Sequence, residues 1–408
     1  MTYAYISDAH DLHGVSGNQH VAFGPGSPGY VQQLKAYNDA FAAFFQRLEH
    51  DGITKDNTLF VFTVDEGDHF VRVRKTDCDG VTTPCMYGTN EVGEINSNID
   101  TLVTHQFPVL ANLFLGSAAP NTFTVHGDDA PPFYLAKKGA GGGPLAQTDP
   151  LTRGFEREIA MLTAVNPYTG LIDNLMVRMA DQTGMKALHM ITTGDPARNA
   201  TFVLFADPNY FITDFPTSAC ETCINPLFAW NHGDVQSEIA RTWLGFVGPG
   251  VRREGIVSDV WTDHTDVRPT MLTLLGLKDD YGHDGRVIVE PLDEWAVPHS
   301  LREHREKLSR LGAMYKQVNA AFGRFAMDTL AASTQALKSG SDSEDSEYAH
   351  TQARIQDLTS QRDALASQMK AVLEMAAFSN GAINEQQAEM LIDQGEELLE
   401  RARYLARR

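Results

Sequence analysis

The sequence predicts an α/β fold: a three-layer α/β/α arrangement on a mostly parallel sheet, followed by an α-helical bundle or coiled-coil segment. Three observations lead to this prediction. A short, continuous apolar run from Leu59 to Val64 is typical of a central strand covered on both faces. Acidic residues and a histidine follow that run, where α/β proteins keep their polar sites. From about residue 298 onward, glycine and proline almost vanish and helix-forming residues take over.

A helix is predicted before the apolar run. Its apolar residues recur at three- and four-residue steps from Leu34 to Leu48, and Asp51-Gly52 stops the pattern. Residues 3–7 are expected to form an interior strand, and residues 201–206 another core strand.

The change in composition divides the chain into residues 1–297 and 298–408. In the second part, apolar spacing predicts one helix through Leu308 to Phe325, a second through Leu358 to Ala376, and a third from Asn384 to the end. An acidic linker near residues 339–347 separates the first two. These helices should pack as a bundle that serves packing or homo-oligomerisation, and none of their residues suggests chemistry.

Charge and hydropathy limit the partners of the chain. A formal net charge of -20 at pH 7 argues against nucleic-acid binding through phosphate neutralisation and against docking on an anionic membrane surface. No apolar run reaches the roughly 18 residues that would span a bilayer. A soluble, acidic protein that tolerates cations fits this composition better.

The four cysteines form two close pairs, Cys78 with Cys85 and Cys220 with Cys223. Each pair lies in a polar, turn-rich segment where a local disulfide would close a loop, which implies an oxidising compartment. A structural zinc held by all four thiolates and a set of free thiols are the alternatives.

Three loops carry side chains suited to divalent cations. Asp65, Glu66 and His69 crowd the exit of the predicted central strand, and Gly67 among them indicates a tight turn. The other candidates are found in a loop near the start of the chain and in a His-Gly pair much later: Asp8, His10, His13 and His232. Each loop taken alone is also typical of a solvated, capped turn.

In this order, the loops resemble the alkaline phosphatase superfamily of two-metal hydrolases, and in particular its phospholipase C-like phosphoesterase branch. The resemblance covers roughly residues 1–290. It includes Thr63-Val-Asp65, His232-Gly233, Gly248-Pro-Gly250 and an Asp-x-x-Pro-Thr helix start from Asp266 to Thr270. Asp263, His264 and Asp266, around the start of that last segment, are expected to form a helix-capping and sheet-packing element.

The resemblance implies a metal-dependent hydrolase of phosphate monoesters or diesters with two divalent ions, drawn from zinc, calcium, magnesium and manganese. One ion would be held by Asp8, by His10 or His13, and by His232. Asp65 and Glu66 would contribute to the other.

Most of the superfamily has Asp-His where this chain has Asp65-Glu66, and glutamate favours oxygen-loving cations over zinc. His69 would act as a ligand, a phosphate-oxygen donor or a general acid.

The family's nucleophilic Ser or Thr, and the strand-end Asp before it, have no counterpart here. We therefore expect the chain to lack the N-terminal part of its hydrolase domain and to be weak or inactive alone. The cysteines favour an extracellular or periplasmic parent protein.

Two other interpretations stay open. One is a non-catalytic, metal-stabilised binding module whose helical tail recruits a partner. The other is an intact hydrolase that uses Asp65, Glu66 and His69 with water as the nucleophile.

Overall fold

The computed structural model describes residues 3–6, 13–16, 19–191, 195, 198–214, 221–339 and 345–407. The chain forms two compact units. The first consists of Met1–Thr54, Thr63–Arg178 and Ala200–Leu244, and the second of Lys55–Phe62, Met179–Asn199 and Gly245–Arg408. Most strands belong to the first unit, and the C-terminal helices belong to the second.

The described strands, in chain order, are β1 (His13–Ser16), β2 (Gln19–Ala22), β3 (Phe60–Thr63), β4 (His69–Phe70), β5 (Glu94–Asn98), β6 (Asn121–Val125), β7 (Pro132–Lys137), β8 (Thr163–Val165), β9 (Ile172–Asn174), β10 (Met176–Asp181), β11 (Phe202–Ala206), β12 (Tyr210–Thr213), β13 (Thr222–Asn225), β14 (Trp230–Asn231) and β15 (Leu244–Val247). The described α-helices are α1 (Pro28–His50), α2 (Ile99–Gln106), α3 (Pro108–Phe114), α4 (Pro150–Ala160), α5 (Gln182–Ala187), α6 (Ser237–Ala240), α7 (Val267–Leu274), α8 (His299–Glu303), α9 (Arg305–Asn319), α10 (Arg324–Ser339), α11 (Ser346–Phe378) and α12 (Glu385–Ala406).

The prediction of a single, mostly parallel sheet is wrong. The described strands form small sheets, the largest with four strands in the order β10-β11-β7-β6, where β7 runs antiparallel to both neighbours. Strand β5 pairs in parallel with β12 and antiparallel with β13. Strands β6 and β7 are joined by a short loop, which leaves no room for the crossover that a parallel pair requires. The broader prediction, a mixture of helices and strands with a C-terminal helical region, is confirmed.

The core strand predicted at residues 201–206 is β11, and all five of its residues are buried. Aromatic rings build the core around it. Phe133 stacks on Phe202 with ring centroids 4.6 Å apart, and Phe155 meets the ring of Phe114 edge-on at 4.8 Å. Aromatic pairs of this kind contribute beyond their buried area.

The helix predicted before the apolar run is α1. The Ser27 hydroxyl accepts from the Tyr30 backbone N–H at its start, and Asp51 ends it before Gly52, whose φ is +76°. No residue of α1 is buried, and Leu34 and Phe44 are exposed. Periodicity therefore predicted the helix correctly but says nothing about whether its apolar face is covered.

Two predicted interior strands differ from the structure. Strand β3 lies where a fully covered central strand was predicted, but it pairs with β15 in a two-stranded sheet and is only partly buried. Residues 3–6 form no strand, and Tyr3, Tyr5 and Ile6 are exposed. Ser7 lies outside the described residues. An apolar run becomes a central strand only when partner strands flank it on both edges, and the sequence of the run does not specify them.

The described part of residues 298–408 forms five helices, α8 to α12, where three were predicted: α8 was not predicted, and a break after Asn319 separates α9 from α10. Gly323 lies at this break, where a Cβ atom would be 2.5 Å from the Lys316 carbonyl oxygen. The helices share a core of buried apolar side chains that includes Leu311, Tyr315, Ile355, Met369 and Leu399. Of the predicted acidic linker, residues 340–344 lie outside the described residues. None of the described helices, α11 included, is both long and apolar enough to cross a bilayer.

The helix cap predicted at Asp263 to Asp266 is confirmed. The Asp263 side chain accepts from the Thr265 backbone N–H, and the Asp266 side chain accepts from the Asp263 backbone N–H. The sequence did not indicate the partner of this cap. Lys316 Nζ lies 2.7 Å from Asp263 Oδ2 and 3.0 Å from Asp266 Oδ1, inside the second unit.

The first cysteine pair forms the predicted local disulfide, Cys78–Cys85. Cys223 is also disulfide-bonded, and Cys220 lies outside the described residues. The sulfurs of Cys78 and Cys85 are therefore not thiolate ligands for zinc, which removes the four-thiolate alternative.

Candidate functional site

The predicted acidic loop, residues 65–68, is held against the short helix α6 in the first unit. The Gly67 N–H donates to the Ile239 carbonyl oxygen at 2.9 Å. A Cβ atom at Gly67 would lie 2.3 Å from the Glu238 carbonyl oxygen, so only glycine fits this approach. The adjoining Asp65 is exposed, and Glu66 is partly exposed. The loop thus has a fixed backbone with carboxylates open to solvent.

Strand pairing brings His232 to this loop. Strands β4 and β14 are antiparallel, with His69 opposite Asn231, so the residue after β14 emerges beside the acidic loop. His232 Nδ1 lies 2.7 Å from Glu66 Oε1, with side chains 48% and 38% exposed. Two residues predicted to bind cations from distant parts of the sequence therefore meet at an accessible position.

His69 is held by two acceptors. Its Nδ1 lies 3.0 Å from Glu238 Oε1, and its Nε2 lies 3.2 Å from Asn209 Oδ1. The Asn209 amide nitrogen donates to Asp207 Oδ1 at 2.7 Å, which fixes the orientation of the amide and leaves its oxygen facing His69. Both ring nitrogens of His69 therefore face an oxygen atom that can accept a hydrogen bond. The hydrogen bond from His69 lowers the pKa of Glu238.

A cleft of about 280 Å³ adjoins His232, and its lining contains acidic residues that the sequence analysis missed. Glu94, Asp128 and Asp129 line the cleft, and Phe211 and Phe228 add apolar surface to it. No salt bridge of the described residues involves any of these three carboxylates. The acids are therefore without a lysine or arginine partner in the part of the chain described here.

Burial changes the protonation of these acids. Burial, reinforced by the Glu94 and Asp128 carboxylates, raises the pKa of Asp129 to about 9. Burial also raises the pKa of Glu94 to about 7 and that of Asp234 to about 7. In the cation-free chain, Asp129 therefore holds its proton at neutral pH.

The backbone around His232 links the cleft to the acidic loop. The His232 N–H donates to Asp129 Oδ2 at 2.9 Å. Gly233 follows with φ of +86°, and a Cβ atom there would be 3.3 Å from Asp128 Oδ1. Glycine after His232 thus allows the backbone to pass close to the Asp128 and Asp129 carboxylates.

The acids of the cleft left only a weak signal in the sequence. Asp128-Asp129 lies just before two prolines and resembles an ordinary turn, and the other polar residues of the strand that Glu94 begins are uncharged. Their common feature is that each lies at a strand end: Glu94 starts β5, and the Asp pair lies between β6 and β7. A search for acids at strand ends would have found them, together with many solvated turns.

The remaining predicted ligands are placed as follows. Asp65 Oδ1 accepts from the Glu66 backbone N–H at 3.2 Å. Asp8 and His10 lie outside the described residues, and His13 begins β1 without a described side chain. Within the described ranges, no group of three or more His, Cys, Asp or Glu side chains is arranged to hold a metal ion as it stands.

Comparisons with protein-family models, with curated proteins and with solved structures find no match to this chain.

Proposed function

We propose that the protein is a divalent-cation-dependent hydrolase of phosphate esters, with its site at the acidic loop and His232. The observation that carries this proposal is the 2.7 Å approach of His232 Nδ1 to Glu66 Oε1. The two residues come from separate segments, and both side chains are open to solvent. The similarity to alkaline phosphatase-like phosphoesterases in the order of these motifs supports the same conclusion.

The donor atoms suit a divalent cation. A carboxylate oxygen favours manganese, magnesium or calcium, an imidazole nitrogen favours zinc, and both accept manganese. Glu66 and His232 would hold the ion, with the exposed Asp65 beside them. Two protein ligands suffice for ions that take the rest of their coordination from water and substrate phosphate. When bound, the cation would stabilise the negative charge that develops on the phosphoryl oxygens.

His69 is assigned to proton transfer. Glu238 holds its Nδ1, while the hydrogen bond from its Nε2 to Asn209 can be exchanged for one to a substrate oxygen. From Nε2 it would donate a proton to the leaving oxygen. Of the interpretations drawn from the sequence, we adopt the one in which Asp65, Glu66 and His69 act with water as the nucleophile, which predicts turnover by the chain as it stands.

The charge of the cleft favours a diester substrate. Glu94 and Asp128 line the cleft next to His232, and a doubly charged phosphate monoester would meet stronger repulsion from their carboxylates than a singly charged diester. Phe211 and Phe228 offer an apolar surface for an aromatic ester group.

Chelation tests the proposed function. We expect the purified chain to hydrolyse bis(p-nitrophenyl) phosphate faster than p-nitrophenyl phosphate, to lose this turnover in EDTA, and to regain it with manganese, zinc, calcium or magnesium. Turnover that is indifferent to chelation would contradict the role of the cation. Cation binding without any turnover would favour the non-catalytic binding module.

A further inference from the structure

We infer that the cleft beside His232 contains a cation site of its own, in which Asp129 Oδ1 and the Glu94 carboxylate bind a hard divalent cation such as Ca²⁺. This site is separate in its ligands from the Glu66–His232 pair. It does not depend on the proposed hydrolase activity.

The first observation is an orphaned oxygen atom. Asp129 is only 4% exposed and lines the cleft, and its Oδ1 atom has no hydrogen-bond partner among the described residues. The other oxygen, Oδ2, accepts from the His232 N–H, which fixes the carboxylate in place. A buried carboxylate oxygen without a donor is costly, and a bound cation would remove that cost.

The second observation is the uncompensated charge around that atom. Glu94 is 8% exposed, and Asp128 lines the same cleft. Each has one oxygen already placed by a hydrogen bond: Glu94 Oε1 accepts from the Asn225 amide at 2.9 Å, and Asp128 Oδ1 from the Asp129 N–H at 2.7 Å. Buried carboxylates are paired, protonated or bound to a metal, and no lysine or arginine of the described residues pairs with these three.

The chemistry of the ligands selects the class of cation. The charged side chains that line the cleft are carboxylates, and the cleft has room for several water molecules. Calcium accepts six to eight oxygen ligands, water included, in irregular geometry. A site of this kind therefore suits Ca²⁺ better than zinc, which prefers nitrogen and sulfur donors.

Terbium luminescence and calcium titration on the full chain test this inference. Tb³⁺ replaces Ca²⁺ in oxygen sites, and Trp230 lines the cleft and can sensitise its emission. We expect tryptophan-sensitised emission from the wild type that Ca²⁺ displaces. Asp129→Asn and Glu94→Gln should each weaken Ca²⁺ binding by about tenfold or more, because each removes a charged oxygen ligand.

Two control variants separate this site from the proposed catalytic one. Asp393→Asn removes an exposed carboxylate on α12 and should leave Ca²⁺ binding unchanged. Glu66→Gln should also retain Ca²⁺ binding. If Glu66→Gln abolished binding while Asp129→Asn and Glu94→Gln bound as wild type, the inference would be overturned although the proposed function would stand.

The melting temperature of each variant is measured without added cation, as a check that the variant folds. Asp129→Asn replaces the protonated acid of the cation-free chain by a neutral side chain of the same size, whose oxygen can still accept from the His232 N–H, so its cation-free melting temperature should match that of the wild type. Absence of both Tb³⁺ emission and a calcium heat signal in the wild type would also overturn the inference. Calcium binding that depends on Asp129, in a chain without turnover, would support this site and count only against the hydrolase.

Discussion

Replacing Glu66 by glutamine is expected to lower kcat/KM for bis(p-nitrophenyl) phosphate by about a hundredfold or more, roughly 2.7 kcal/mol of transition-state free energy. Glutamine keeps the size of the side chain and can still accept from His232, which now lies 2.7 Å from Glu66 Oε1. It cannot supply the negative charge that a divalent cation needs. The measurement is steady-state hydrolysis in saturating manganese.

The first unit contains a matched control for this variant. Glu221 also meets a histidine, with Glu221 Oε2 3.0 Å from His105 Nδ1, and this pair is not part of the candidate site. Glu221→Gln should leave kcat/KM unchanged. The double variant Glu66→Gln/His232→Ala should be no slower than the slower single variant, because both residues serve one cation. Additive losses would show that the two residues act separately.

The second large effect concerns the stability of the second unit. Lys316→Met should lower the free energy of unfolding by about 3 kcal/mol, because it leaves a buried charge without its partner. Lys316 is 1% exposed and Asp266 is completely buried. Burial raises the pKa of Asp266, and the positive charge of Lys316 opposes that shift. Urea unfolding followed by circular dichroism measures the loss.

The same helix provides the control for this prediction. Lys307 on α9 forms an ion pair with Glu389 that is more open to solvent, so Lys307→Met should have a much smaller effect. Asp266→Asn in the Lys316→Met background should recover part of the loss, since the amide carries no charge. A Lys316→Met protein as stable as the Lys307→Met protein would show that the buried pair contributes nothing.

Local features of the fold could be predicted from the sequence. The end of α1 at His50, the strand β11 and the cap at Asp263 depend on residues within a few positions of one another. Turn residues, caps and apolar runs act over that range. Sheet topology is determined by pairing between distant segments, so the partners of β3 and the antiparallel arrangement could not be derived from the run at residues 59–64.

The candidate site shows the same difference between features that depend on nearby residues and features that depend on distant ones. Asp65, Glu66, His69 and His232 were recognisable because acids and histidines cluster next to a strand end. The partners of these residues could not be recognised from the sequence, because the contacts of His69 with Glu238 and Asn209 join segments far apart in the chain. Asp129 went unnoticed because its distinguishing property, burial without a counter-charge, exists only in the folded chain.

Anomalous diffraction from crystals soaked with Mn²⁺ tests the central claim most directly. The proposed function predicts an anomalous peak within about 2.5 Å of both a Glu66 carboxylate oxygen and His232 Nδ1. Crystals that show no peak there, with the Glu66–His232 hydrogen bond intact at saturating manganese, would contradict it.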